Sequence, residues 1–248
     1  MQQKFASNGN LKIEYLHVNE DSGGIPYIII PGACVSAQEF YDGVKDSLLC
    51  NAAIISVRGL GESDKPESGY TADDFVSDIH SVSLASGFEK PCLIGYSAGA
   101  GLAAAYAVKY PASIKAIVMA DYPPGIPKYT PEWAEMVIND RPEVDIRFIN
   151  GLVNESVKHL YADEITEKSI PAMVLKADGE DSILPESLLE KLKLKMPHGE
   201  FVTIGECGHD IFSGKGNEAF RVIEQFLSKL DKNIIESHDE SNTNSSDD

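Results

Sequence analysis

Residues 91–110 read PCLIGYSAGAGLAAAYAVKY, and the fold is decided there. Pro91 to Ile94 is a short, nearly all-apolar run, the pattern of a strand buried on both faces. Gly95-Tyr96-Ser97-Ala98-Gly99 follows as a G-x-S-x-G turn, and an Ala-rich run from Ala98 to Tyr110 leaves it as a helix. A strand that turns so sharply into a helix forces its central serine into a strained backbone conformation. The glycines two before and two after that serine let strand and helix approach closely. Ser97 then projects into a cleft as the candidate nucleophile.

Outward from this turn, apolar runs alternate with amphipathic ones. Upstream strands are expected at 4–7, 11–18, 27–30 and 53–57, with Asn8-Gly9 as a tight hairpin turn between the first two. Downstream strands are expected at 114–119, 172–175 and 201–204, which with 92–94 makes eight. Helical patterns lie near 37–49, 71–86, 98–110, 185–194 and 218–230. Strand-helix alternation implies a mostly parallel eight-stranded α/β sheet, with an N-terminal antiparallel hairpin and helices on both faces. Ligands of such sheets bind beyond the carboxyl ends of the strands. The stretch 123–169 breaks the rhythm with four early prolines and helical patterns around Trp133, Phe148 and His159. It reads as a short helical cap inserted into one domain spanning 1–230.

Composition limits the function classes. The chain of 248 residues is 43% apolar and 24% charged, and no apolar run is long enough to span a bilayer. No secretory signal is visible in MQQKFASNGNLKIEY, so a cytoplasmic location is the expectation. Cys34, Cys50, Cys92 and Cys207 are scattered without a C-x-x-C pair, which suits reduced thiols rather than a zinc site or a disulfide framework. A formal net charge of −18 repels phosphate backbones and anionic lipid surfaces, so neither nucleic acid nor membrane is an expected partner. Residues 231–248 hold six acids among Ser, Asn and Thr and read as a disordered solubilising tail.

A serine hydroxyl needs a base near neutral pH, and histidine is the usual one. Of six histidines only His209 lies directly after the last strand, where a loop can carry it over Ser97. The base in turn needs an acid to fix its tautomer, in the chain order serine, acid, histidine. Three aspartates qualify: Asp181, before a helix that Pro185 opens, is favoured over Asp178 in the same loop and Asp121 after the strand at 114–119. Two N–H donors must face the developing oxyanion. Ala98 supplies one, and Ala33 of Pro31-Gly32-Ala33-Cys34 the other.

These features resemble the α/β-hydrolase superfamily from about Leu11 to Leu230. Besides the turn at Ser97, Arg58-Gly59-Leu60-Gly61-Glu62-Ser63-Asp64-Lys65-Pro66 is similar to the family's R-G-x-G-x-S-x-x-P loop, and Tyr110-Pro111 closes the helix after the nucleophile. The resemblance implies a carboxylesterase-like enzyme acting on an ester, thioester or lactone of a small to medium molecule, with no cofactor and no metal. It carries the triad onto Ser97, Asp181 and His209. Pro31 stands where many members have His, and Ser56 where Asp often precedes the Arg-Gly loop. A serine nucleophile argues against the dehalogenase and epoxide hydrolase branches, which use a carboxylate. Tyr96, Tyr122, Trp133 and Met136 are expected to line an apolar pocket under the cap, and Arg141 and Arg147 to be solvated ion-pair partners. A carbon-carbon bond hydrolase, a perhydrolase, an aminopeptidase and a non-catalytic ligand-binding member of the fold are rival readings.

Overall fold

The computed structural model describes residues 1–243. Its strands are β1 (Gln2–Asn8), β2 (Leu11–Val18), β3 (Tyr27–Ile30), β4 (Ala52–Ile55), β5 (Cys92–Tyr96), β6 (Ala116–Ala120), β7 (Gly125–Ile126), β8 (His159–Leu160), β9 (Ala172–Ala177) and β10 (Glu200–Ile204). Its helices are α1 (Ala37–Val44), α2 (Ala72–Ser86), α3 (Gly99–Lys109), α4 (Pro131–Asp140), α5 (Ile146–Glu155), α6 (Ala162–Glu167), α7 (Glu186–Lys195) and α8 (Ile211–Thr243), the last kinked at Lys215.

Eight strands form one sheet in the order β1-β2-β4-β3-β5-β6-β9-β10. The first two pair as the expected hairpin, with Asn8 opposite Leu11 and Gly9 in the left-handed region at φ 60° between them. β2 is antiparallel to β4, and every later pairing is parallel. Strands at the centre are Ile-, Val- and Ala-rich because both faces are covered. Along β3, Ile28 and Ile30 enter one apolar layer while Tyr27 and Ile29 enter the other, the two-residue period of a strand. The first layer is closed by α2, α3 and α7 through residues such as Ile79, Ala103 and Leu189. α1 and α8 close the second through Phe40, Val44, Phe212 and Ile223. Each fully buried Ile contributes about 1.5–3 kcal/mol by leaving water.

Local chemistry sets where the helices start. Thr71 and Asp74 form a reciprocal capping box at the head of α2, and Gly87 ends that helix at φ 71°. Ser36 and Glu39 do the same for α1. The loop after β4 is anchored by a buried ion pair: Arg58 Nε and Nη2 each donate to Asp78 at 2.8 Å, and Asn8 donates to the same carboxylate at 2.7 Å. Ser56 serves as a local linker, accepting from the Ala37 N–H at 2.8 Å through its hydroxyl and from Ser63 at 2.6 Å through its carbonyl.

The interruption between β6 and β9 is the expected cap. α4, α5 and α6 sit on it, with β7 and β8 paired antiparallel beneath. Trp133 and Phe148 lie on helices as anticipated, whereas His159 lies in the short strand β8. At the other end, the segment expected as a disordered tail from 231 continues α8 as far as Thr243, and 244–248 lie outside the described residues.

Candidate active site

Ser97 follows β5 directly and takes the left-handed backbone conformation, φ 53°, that a strand-to-helix elbow requires. Its N–H donates to the Ala120 carbonyl at 3.0 Å, and its own carbonyl accepts from Ala100 at 2.9 Å as α3 begins. The flanking glycines are there for space. A Cβ on Gly99 would overlap the Ile30 carbonyl oxygen, and one on Gly95 would overlap the backbone of Gly99 and Ala100.

Three side chains converge at the carboxyl end of the sheet. His209 Nε2 lies 3.0 Å from Ser97 Oγ, and His209 Nδ1 lies 2.8 Å from Asp121 Oδ2. The loop after β10 brings the imidazole in, and its ring stacks on Tyr96 with centroids 5.1 Å apart and planes at 28°. With Nδ1 donating to the carboxylate, Nε2 is left as the acceptor that faces the serine hydroxyl.

The acid beside His209 is Asp121, not the favoured Asp181. Asp121 follows β6 at φ 50° and is fully buried. Its carboxylate accepts from Ser182 Oγ at 2.6 Å and from the Ala177 and Ile183 N–H groups at 3.1 Å each, besides His209. Burial pushes its pKa up, but the hydrogen bonds from His209, Ser182, Ala177 and Ile183 together prevail and hold it below the ordinary carboxylate range. Asp181 is exposed, its carboxylate lying where a Cβ on Gly208 would be. Asp178 accepts from the Cys207 N–H at 3.3 Å and props up the histidine loop. The β9 loop therefore wraps an acid that the neighbouring strand supplies.

The loop after β3 passes beside the serine, so close that a Cβ on Gly32 would lie 3.0 Å from that of Ser97. Ala33 and Ala98 flank the serine from this loop and from the head of α3, and both line one apolar slot. Cys34 is buried at φ 64°, and burial pushes its thiol up to about 11, which keeps it protonated near neutral pH. It lines a separate recess with Glu39, Lys65 and Arg141.

The slot lies between the sheet and the cap. Its walls include Leu60, Phe75, Leu102, Phe148 and Leu152, and among the described residues no Lys, Arg, His, Asp or Glu lines it. The expected pocket residues are displaced from it. Tyr96 packs instead against His209, Phe40 and Phe212. Tyr122 packs against the core, and Trp133 packs at a tilt against Tyr129. Met136 is 52% exposed, because α4 turns Ala134 and Val137 inward and so points Met136 away. The slot's lining instead includes Tyr129, in the connection before α4, where periodicity carries no signal. Arg141 pairs with Glu39 and Glu143, and Arg147 with Asp145 and Glu67, as expected. Among the described residues no cluster of three His, Cys, Asp or Glu could hold a metal, and no helix is long and apolar enough to cross a membrane.

A family model described as alpha/beta hydrolase fold matches residues 26–145. A Synechocystis sp. protein named as a candidate non-heme chloroperoxidase is 29% identical over 169 residues, 62% of this chain and 60% of that protein. The 2-(acetamidomethylene)succinate hydrolase of Mesorhizobium japonicum is 30% identical over 113 residues, 45% of this chain and 41% of that enzyme. Both matches span less than two thirds of the relative's length. The bromoperoxidase of Bacillus anthracis superposes with a TM-score of 0.75 at 18% identity, covering 92% of this chain and 100% of that one, a likeness of fold. Lipases, an esterase and a meta-cleavage product hydrolase are among the further matches.

Proposed function

Since this chain is an α/β hydrolase by fold, we propose that it is a carboxylesterase-like serine hydrolase that cleaves an ester, thioester or lactone through an acyl-enzyme on Ser97. The observation that carries this reading is the relay from Asp121 through His209 to Ser97, at 2.8 Å and 3.0 Å. His209 Nε2 takes the hydroxyl proton as Ser97 Oγ attacks the carbonyl carbon. The oxyanion then accepts from the Ala33 and Ala98 N–H groups, each donor contributing about 3–4 kcal/mol to the transition state. Collapse expels the alcohol or thiol with the proton held by His209, leaving the acyl group on Ser97. Water, deprotonated by His209, attacks that acyl group, and the carboxylic acid leaves as the serine regains its proton. Asp121 stays ionised throughout, fixing the imidazole tautomer and balancing the imidazolium.

The slot supports an uncharged, mainly apolar substrate, because among the described residues no cationic side chain lines it to neutralise a carboxylate. The four free cysteines support a cytoplasmic location. Relatives named as peroxidases favour one variation on the second step. Hydrogen peroxide in place of water would release a peracid from the same acyl-enzyme.

The test is fluorophosphonate labelling located by peptide mass spectrometry, alongside turnover of p-nitrophenyl esters by wild type and Ser97→Ala. Labelling at Ser97 with turnover lost in the variant is expected. Neither labelling nor turnover in the wild type would overturn the hydrolase reading in favour of a ligand-binding role. Peracid formation on adding hydrogen peroxide would distinguish the perhydrolase variation.

A further inference from the structure

Three side chains lining the slot carry hydroxyls: Tyr70, Ser156 and Tyr129. Two are engaged within the chain. Tyr70 donates to the Pro66 carbonyl at 2.7 Å, and Ser156 Oγ accepts from the Tyr129 N–H at 3.0 Å. The Tyr129 hydroxyl has no hydrogen-bond partner among the described residues. Yet no fully buried side-chain nitrogen or oxygen among those residues lacks one. The Tyr129 oxygen is therefore not fully enclosed by protein, and its side chain lines the slot.

The ring is held in place to do so. It packs against Trp133 with centroids 4.4 Å apart and planes at 53°, while Ser156 fixes the backbone at the other end. Burial raises the phenol's pKa, and the neighbouring Tyr122 phenol and Cys34 thiol raise it further. The hydroxyl stays protonated near neutral pH and so remains a donor. A donor held in an apolar slot, with no cation among the described residues that line it, suits a neutral acceptor and not an anion.

Resting on the hydrolase reading above, we propose that Tyr129 is a specificity-determining residue whose hydroxyl donates to a neutral oxygen, a carbonyl, ether or hydroxyl, on the organic group bound in the slot. The site then selects an otherwise apolar substrate bearing one such oxygen over a plain hydrocarbon of equal length. Its physical basis is the penalty for leaving a desolvated donor unpaired when the analogue lacks the acceptor.

The test compares p-nitrophenyl hexanoate with its 4-oxo and 5-oxo analogues on wild type and Tyr129→Phe. Wild type is expected to favour at least one oxo ester by about tenfold or more in kcat/KM. Tyr129→Phe should lose that preference, its ratio of oxo-ester to hexanoate kcat/KM falling to about one. Equal preferences in the two proteins, or none in wild type, would overturn the proposal. Should neither protein turn over any ester while both label at Ser97, the hydrolase reading fails, and protection from labelling then decides about Tyr129. Heptan-2-one slowing the labelling of wild type more than that of Tyr129→Phe supports the donor role, and equal protection refutes it.

Discussion

Ser97 and Asp121 occupy equivalent places on neighbouring parallel strands. Each follows its strand directly, each is left-handed with φ near 50° (53° and 50°), and the Ser97 N–H donates to the carbonyl of Ala120, the residue before Asp121. Ser97 and Asp121 are thus held in register by the sheet itself, and His209 closes over both from the far strand β10.

If Asp121 orients the base, Asp121→Asn should lower kcat by about 10⁴-fold, since an amide holds the wrong imidazole tautomer. Asp181→Asn and Asp178→Asn should each stay within about threefold of wild type, because neither carboxylate bonds to the imidazole. Steady-state turnover of one p-nitrophenyl ester by the three variants checks this. A larger loss at Asp181 would return the acid role to the β9 loop.

The hydrogen bonds around Asp121 also give the fold a pH dependence. Its pKa is lower in the folded chain than the unfolded value of about 3.9, so it stabilises the fold above that value. The contribution is lost as pH falls through the folded pKa. Ser182→Ala removes the 2.6 Å donor and should cost about 1–3 kcal/mol near neutral pH. That deficit should shrink once the pH drops below about 4, where protonation begins to cancel the interaction in wild type as well. Thermal unfolding of both proteins across the acid range measures it.

Slot shape should set chain-length preference. Leu102 lines the slot from α3, and Leu102→Trp would fill part of the slot. Turnover of a p-nitrophenyl octanoate should fall by about tenfold or more, with acetate changed by less than about twofold. Parallel losses on both esters would mean that the acyl chain lies elsewhere.

The Arg58–Asp78 pair makes a stability prediction separate from the chemistry. Asp78 is fully buried and Arg58 nearly so. Asp78→Ala leaves the guanidinium uncompensated and should destabilise by about 3–5 kcal/mol in urea unfolding. The folded fraction should keep its rate of Ser97 labelling.

Residues 91–110 were readable because every local preference in them agrees: β-branched and apolar going in, glycines where backbones touch, alanines going out. His209 was readable from its position after the last strand. The acid was not, since Asp121, Asp178 and Asp181 all satisfy the chain order. What separates them is a left-handed backbone at Asp121 and two N–H groups of the next loop, which no side-chain pattern encodes. The pocket failed for another reason. Amphipathicity announced α4, but the rotation that exposes Met136 comes from docking Ala134 and Val137 onto neighbours distant in sequence.

Ser97 and His209 are 112 residues apart in the chain, and Asp121 and His209 are 88 apart. A polypeptide emerging from the ribosome therefore exposes its serine elbow long before the base that would activate it exists. Only when β10 has paired with β9, and the loop beyond it has swung His209 onto Tyr96, does the hydroxyl gain its proton acceptor. On the proposed hydrolase reading, reactivity is thereby deferred until nearly the whole sheet is assembled, and the pairing of the last strand decides when Ser97 acquires its base.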